Sequence, residues 1–134
     1  MVVFAAAATL GCTGADYNVA PVSGTISFDG RPLSGGQLMF APVASGGGDK
    51  AGKAGFAKVQ PDGSFVVSTY GDGDGAVVAK HRVTLINNPK SEAGKRLGVN
   101  RVIIPEAIVV NANEENRLAI EITPEMLKRF SVTF

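Results

Sequence analysis

Short stretches in which apolar and polar residues alternate recur along the chain from Val19 onward. In the first of them, Val22, Ile26 and Phe28 share one face of an extended strand, and small polar residues occupy the other face. An alternation with a period of two is typical of half-buried β-strands. The pattern predicts seven strands, at residues 22–28, 37–41, 53–60, 65–69, 77–86, 117–123 and 129–134.

Turn residues separate these stretches. Asp29-Gly30 follows the first strand, and Pro61-Asp62-Gly63-Ser64 joins the third strand to the fourth, so we expect these two strands to form a hairpin. Glycine-rich loops cover residues 44–52 and 70–76. Seven short strands with Gly and Pro turns predict an all-β fold, a seven-stranded, two-sheet antiparallel sandwich of the general immunoglobulin-like kind.

Residues 87–116 do not follow the alternation and are longer than an ordinary connection, which is typical of functional or partly ordered segments. Within them, residues 101–105 and 107–110 fit either an edge strand or a flap. Helix is scarce. A single turn is predicted at 124–128, with Thr123 as its cap and Pro124 at its first position.

The N-terminus has a different pattern. Residues 2–10 are apolar and rich in alanine, and Gly11-Cys12 follows. A short apolar segment that ends in small residues is typical of a signal peptide, and a cysteine directly after it resembles a bacterial lipoprotein signal, in which that cysteine is acylated. Thr9 stands where such signals usually carry Leu, and no basic residue precedes Cys12.

The N-terminal pattern predicts a lipoprotein-type signal peptide at residues 1–11, a tether at 12–18 and one domain at 19–134. The domain is then exported and held by acylated Cys12 on the periplasmic or cell-surface side of a bacterial membrane. A frayed N-terminal segment with a buried Cys12 is the alternative, since lone cysteines often behave as small apolar residues.

Composition narrows the functional classes. The 134 residues carry 13 Lys and Arg against 12 Asp and Glu, which argues against a nucleic-acid partner. Cys12 is the only cysteine, so neither an internal disulfide nor a cysteine-based metal site is predicted. Tryptophan is absent, and Tyr17 and Tyr70 are the only tyrosines, which disfavours a sugar-stacking platform.

Several motifs, in their order along the chain, resemble carboxypeptidase regulatory-like domains. Residues 22–26 and 29–36 resemble the opening Gly-x-Val strand and Asp-Gly-Lys-Pro-Leu turn of that family, and 61–65 resembles its Asp-Gly-x-Phe turn. Residues 79–85 resemble its Gly-x-Tyr-x-Val-x-Val strand, with Ala79 in place of the glycine and His81 in place of the aromatic residue. The Gly-Cys leader and Ile104-Pro105-Glu106 are similar to small lipoproteins of this type from planctomycete-like bacteria.

The resemblance covers residues 19–134 and implies a transthyretin-like, seven-stranded sandwich. The family has no common catalytic residues, so none is carried over. Its members act mostly as accessory, structural or binding modules, and we therefore expect a non-enzymatic envelope domain with a protein or cell-wall polymer as partner. The alternatives are a secreted carbohydrate-binding module, with Tyr70 as its stacking residue, and a transthyretin-like hydrolase. The hydrolases resemble one another in paired histidines that this chain does not have.

Three groups of residues have candidate chemistry. His81 is the only histidine, and we expect it to be structural because no metal-binding or triad partner stands at a suitable spacing. Asp72 and Asp74, two apart in a glycine loop, are a weak candidate for Ca²⁺, although a solvated turn uses the same residues. Lys90, Lys95, Arg96 and Arg101 form a basic group in the long segment, either a partner-contact loop or solvated charge.

Overall fold

The computed structural model describes residues 18–43 and 52–134. The predicted signal peptide, Cys12 and most of the tether lie outside the described residues. The strands within the described ranges are β1 (Val19–Ala20), β2 (Val22–Phe28), β3 (Arg31–Pro32), β4 (Gln37–Pro42), β5 (Gly55–Lys58), β6 (Ser64–Val66), β7 (Ala76–Val77), β8 (Lys80–Ile86), β9 (Arg101–Ile103), β10 (Ile108–Val109), β11 (Asn116–Ile122) and β12 (Ser131–Val132). The helices are α1 (Glu92–Leu97) and α2 (Pro124–Arg129). The all-β class is confirmed.

The first sheet is built around β2. On one side of it lie β3 and β6, both antiparallel to β2. On the other side lies β11, which is parallel to β2 over its whole length, with Asn116 opposite Val22 and Ile122 opposite Phe28. The prediction of antiparallel pairing throughout is therefore wrong at β11. The chain enters β11 from the second sheet and not through a hairpin with β2, so no tight turn dictates the strand direction.

Asn116 fixes the register of the parallel pair. Its backbone N–H donates to the Pro21 carbonyl at 2.9 Å, and its buried side-chain amide donates to the same oxygen at 3.2 Å. The amide also donates to the carbonyl of Asn111 and accepts from its N–H, at 3.0 and 2.8 Å. A shift of the register by one residue would break these hydrogen bonds and leave a buried amide without partners, which costs free energy. Asn116 therefore fixes the start of β11 opposite the start of β2.

The second sheet has the order β12-β9-β8-β4-β5, and all its pairings are antiparallel. Strand β10 pairs with the first residues of β8, on the same side as β9. Of the two segments predicted as an edge strand or a flap, the first forms β9, an interior strand between β8 and β12. The second forms β10. The small ladder of β1 with β7 completes the strand pairing of the described residues.

Strands β5 and β6 flank the predicted turn but belong to different sheets. The turn closes with a bond from the Gln60 N–H to the Ser64 carbonyl at 2.8 Å. Beyond it the two segments pair only at Phe56 and Ser68, which exchange both backbone hydrogen bonds at 2.9 Å. The predicted hairpin is thus reduced to a single bridge that connects the edges of the two sheets.

The core lies between the sheets and comes from the inward positions of the alternating strands. Burial of these side chains supplies the main favourable free energy of folding. The largest fully buried apolar side chains are Phe40, Phe65, Ile26, Leu33, Leu38, Leu85 and Ile122. The predicted helical turn is confirmed as α2, in which the Thr123 hydroxyl accepts from the Met126 N–H at 3.2 Å and Pro124 occupies the first turn.

Gly24 allows β2 and β11 to approach closely. A Cβ atom at this position would overlap the carbonyl oxygen of Leu118, a backbone atom that has no freedom to swing away. We expect Gly24→Ala to lower the free energy of unfolding by about 1–3 kcal/mol, because the added methyl forces the strands apart. Urea unfolding of the full chain measures the change.

Gly71→Ala is the matched control for Gly24→Ala. Gly71 has no neighbour within 4 Å of an added Cβ, and its φ lies outside the left-handed region. The substitution should change the free energy of unfolding by less than about 0.5 kcal/mol. Equal stability of the two variants would contradict a close contact between β2 and β11.

Candidate functional site

A surface depression, here called the cationic hollow, lies where helix α1 meets the turn between β2 and β3 and the turn before β6. Its lining contains two arginines and a lysine with a single carboxylate. The lining residues are Arg31, Pro32, Pro61, Glu92, Lys95 and Arg96.

Helix α1 builds one wall of the hollow. Ser91 caps it, with its hydroxyl accepting from the Gly94 N–H at 3.0 Å, and Gly98 ends it with a left-handed φ of 73°. Ala93 and Leu97 are buried against the fold, and the Ala93 N–H donates to the Ser34 carbonyl at 2.8 Å. Because this face is buried, the helix turns Lys95 to solvent.

Arg96 joins α1 to the first sheet. Its guanidinium donates to the carbonyls of Pro32 and Phe28 at 2.7 and 2.6 Å, and a longer bond of 3.4 Å reaches the Arg31 carbonyl. The same group lies 5.5 Å from the centroid of the Phe28 ring, within the range of a cation–π contact. Arg96 therefore fixes the helix against the β2–β3 turn and is only half-exposed.

The four predicted partner-contact residues do not form one group. Lys95 and Arg96 line the hollow. Lys90 is exposed ahead of α1, where its N–H donates to the Asn88 side chain at 2.8 Å. Arg101 is exposed on β9, opposite Ile86 and Val132. Arg31 also lines the hollow but is not among the residues predicted from the sequence. The Asp-Gly-Arg-Pro segment that contains it indicates only a turn.

The turn at the Pro61 side of the hollow carries an ionised carboxylate. The Ser64 hydroxyl and N–H donate to one oxygen of Asp62, at 2.6 and 3.0 Å. These bonds hold the pKa of the exposed Asp62 carboxyl below its ordinary value, because they favour the charged form. The stability that this group contributes is present at neutral pH and is lost as pH falls through the lowered pKa.

Asp74 organises the glycine loop that is the weak calcium candidate. One of its carboxylate oxygens accepts from the Thr69 N–H at 2.8 Å, and the other accepts from Tyr70 and Gly71 at 3.0 Å each. Asp72 is exposed. In residues 18–43 and 52–134 no group of three or more His, Cys, Asp or Glu side chains is arranged to hold a metal ion. The Ca²⁺ assignment stays a prediction.

His81 lies in the core at the start of β8 and has no exposed surface. Its Nε2–H donates to the Val77 carbonyl at 2.7 Å. Its ring meets Phe40 edge-on, with the centroids 6.0 Å apart. The imidazole packs as an aromatic ring between the sheets, which matches the structural role expected from the sequence.

No protein-family model, curated protein or solved structure matches the chain. No helix in the described part of the chain has the length and apolarity that crossing a bilayer requires.

The structural role of Arg96 can be tested with a substitution that keeps its charge. Arg96→Lys should lower the free energy of unfolding by about 1–3 kcal/mol, because lysine cannot reach the separate carbonyls that the planar guanidinium bridges. Thermal or urea unfolding measures the loss. Lys95→Ala, at the exposed neighbour, should stay within about 0.5 kcal/mol of wild type, and a similar loss in both variants would contradict the assignment.

Proposed function

We propose that the chain is a non-enzymatic accessory module of a bacterial cell envelope, anchored through a lipid on Cys12, which binds an anionic partner at the cationic hollow. Residues 1–11 are its signal peptide and 12–18 its tether. Residues 19–134 are a carboxypeptidase regulatory-like domain, a two-sheet transthyretin-like sandwich whose seven principal strands are those of three or more residues, β2, β4, β5, β6, β8, β9 and β11. The partner is a protein with an acidic patch or an anionic cell-wall polymer.

The family assignment is supported by the local geometry of the motifs that resemble the family. Asp29 and Gly30 both adopt positive φ angles, 54° and 80°, as the turn after β2 requires. Gly63 has a φ of 86° in the turn before β6. Gly24 stands at the close contact with β11. The residues that carry the resemblance are therefore ones that this backbone needs.

The anionic partner is supported by one observation: of the three basic residues in the hollow, Arg96 has a structural role, whereas the other two are exposed. The two terminal nitrogens of the Arg96 guanidinium donate to backbone carbonyls, which makes the wall of the hollow rigid. Arg31 and Lys95 stand beside it, both exposed. Cations on a rigid support bind anions at a smaller entropy cost than cations on a mobile loop.

The two alternatives have less support. A carbohydrate-binding module would use Tyr70, but the Lys53 ammonium lies 5.4 Å from the centroid of its ring and occupies one face. A hydrolase would use His81, but this side chain is fully buried and its Nε2 is bonded to Val77. Catalysis by His81 would require the core to open.

The anchor is tested by labelled palmitate in a bacterial host with the lipoprotein pathway. Wild-type chain should incorporate label and fractionate with membranes, because the thiol of Cys12 is the acyl acceptor. Cys12→Ala should do neither. Label in neither protein would contradict the anchor and leave a secreted, unanchored domain.

Binding at the hollow is tested with two anionic probes, a polyglutamate peptide and polyphosphate, by titration at low and moderate salt. Arg31→Glu with Lys95→Glu should raise the dissociation constant for the preferred probe at least about tenfold, because attraction becomes repulsion. Salt should weaken the wild-type interaction. Preference for the peptide indicates a protein partner, and preference for polyphosphate indicates a wall polymer.

Lys128→Glu with Arg129→Glu is the matched control, since both residues are exposed and lie in the last turn of α2. It makes the same change in net charge away from the hollow. Equal weakening by the two double variants would show attraction by net charge alone and would overturn the proposed site.

A further inference from the structure

Strand β11 has one open edge. It pairs with β2, and no second strand pairs with it among residues 18–43 and 52–134. The Asn116 N–H donates toward β2, and in a parallel ladder alternate residues point the same way. Leu118, Ile120 and Ile122 therefore bond to β2. The N–H and C=O groups of Arg117, Ala119 and Glu121 point to the open side.

The exposed charges on this edge are symmetric about Ala119. Arg117 stands two residues before it and Glu121 two residues after it, and all three are exposed. If a second β11 approaches antiparallel with Ala119 opposite Ala119, each Arg117 faces a Glu121 of the other copy. Charged residues on an edge strand usually discourage pairing. Here their opposite signs favour self-pairing with Ala119 at the axis, and they oppose registers centred on Arg117 or Glu121, in which like charges face each other.

The backbone geometry is compatible with the same register. In an antiparallel ladder, residues that face each other as a hydrogen-bonded pair exchange both of their N–H···O bonds. The outward groups of β11 belong to Arg117, Ala119 and Glu121, which are the residues that face one another in the symmetric register. The direction of the backbone groups thus excludes registers shifted by one residue, and among the registers that remain the order of charges favours the one with Ala119 at the two-fold axis.

An apolar groove runs beside the open edge, between β11 and the segment that joins β9 to β10. Its larger apolar lining residues are Ile104, Pro105, Ile108, Leu118, Ile120 and Met126, and its lining also includes Glu106, Glu121 and Thr123. In the symmetric register Leu118 of one copy faces Ile120 of the other on the groove side of the sheet. The half-exposed Leu118 of one copy then contacts the apolar Ile120 of the other. The second copy of β11 is therefore an occupant whose apolar side chains suit the groove.

We infer that β11 is a self-association edge, at which two copies of this chain pair antiparallel about Ala119 into one continuous sheet. Arg117 now contacts Glu115 of its own chain at 2.9 Å, but both side chains are largely exposed, so this pair is weak and exchangeable. Glu121 accepts long bonds from Ser27 and Gly30, at 3.1 and 3.3 Å, and remains exposed. The pairing goes beyond the proposed function and depends on neither the anchor nor the hollow.

Analytical ultracentrifugation of the full chain carrying Cys12→Ser, which removes the acyl acceptor, tests the pairing. We expect a monomer–dimer equilibrium between roughly 10 µM and 1 mM, as for a small and largely polar interface. Arg117→Glu and Glu121→Arg in this background should each raise the dimer dissociation constant at least about tenfold, because like charges then face each other. An equimolar mixture of these two variants should form a heterodimer, in which every facing pair is again of opposite sign.

Ala119→Pro provides a test that does not depend on charge. It removes the central outward N–H without touching a bond to β2, so the monomer should keep its circular dichroism spectrum and the dimer should be lost. Ala119→Thr, which keeps the N–H, should still dimerise. A wild-type chain that is monomeric at all these concentrations would overturn the proposal. So would dimers that persist in Ala119→Pro, or a mixture of the charge variants that stays monomeric.

Discussion

The parallel contact of β2 with β11 holds the first sheet together. It joins the first long strand of the domain to the last one, and β2 also holds β3 and β6 on its other edge. Gly24 permits the close approach, and the buried Asn116 side chain sets the register. The pairing places the buried side chain of Ile26 opposite that of Ile120. On the far edge of β11 no other strand of residues 18–43 and 52–134 pairs.

A second constraint is the link made by Arg96 between the two parts of the chain that form the hollow. The carbonyls that it binds lie 64 and 68 residues earlier in the chain. An arginine with its donors directed at backbone oxygens acts as a structural residue, and its charge adds to a positive surface without being free to move. The neighbouring Arg31 and Lys95 are exposed. We therefore assign the binding of the anionic partner to these two side chains.

Much of the strand content could be predicted from the sequence, because alternation reports burial on one face of a sheet. Each of the seven predicted stretches overlaps a strand, and the Thr123-Pro124 signal correctly predicts α2. Helix α1 was missed because it is six residues long and buries too few side chains to create a helical period. Its signals were Ser91 before it and Gly98 after it, two residues that are also common in loops.

Pairing and direction could not be predicted in the same way. Alternation does not distinguish a parallel neighbour from an antiparallel one, so the direction of β11 was assigned wrongly. The interior position of β9 depends on β12, a strand of only two residues about thirty positions later. For the site, the basic residues of α1 were recognisable as charges. Arg96 is structural and Lys95 is exposed because only Arg96 contacts the distant β2–β3 turn. A local sequence pattern does not encode such a contact.

Amide hydrogen exchange along β11, followed by NMR in a dilute sample of the full chain, tests this account most directly. Leu118, Ile120 and Ile122 should exchange only when the domain unfolds, because their N–H groups are bonded to β2. Arg117, Ala119 and Glu121 should exchange quickly in the dilute sample and slow down as the concentration rises. Uniform exposure of all six amides would contradict the parallel contact, and uniform protection at every concentration would contradict the open edge.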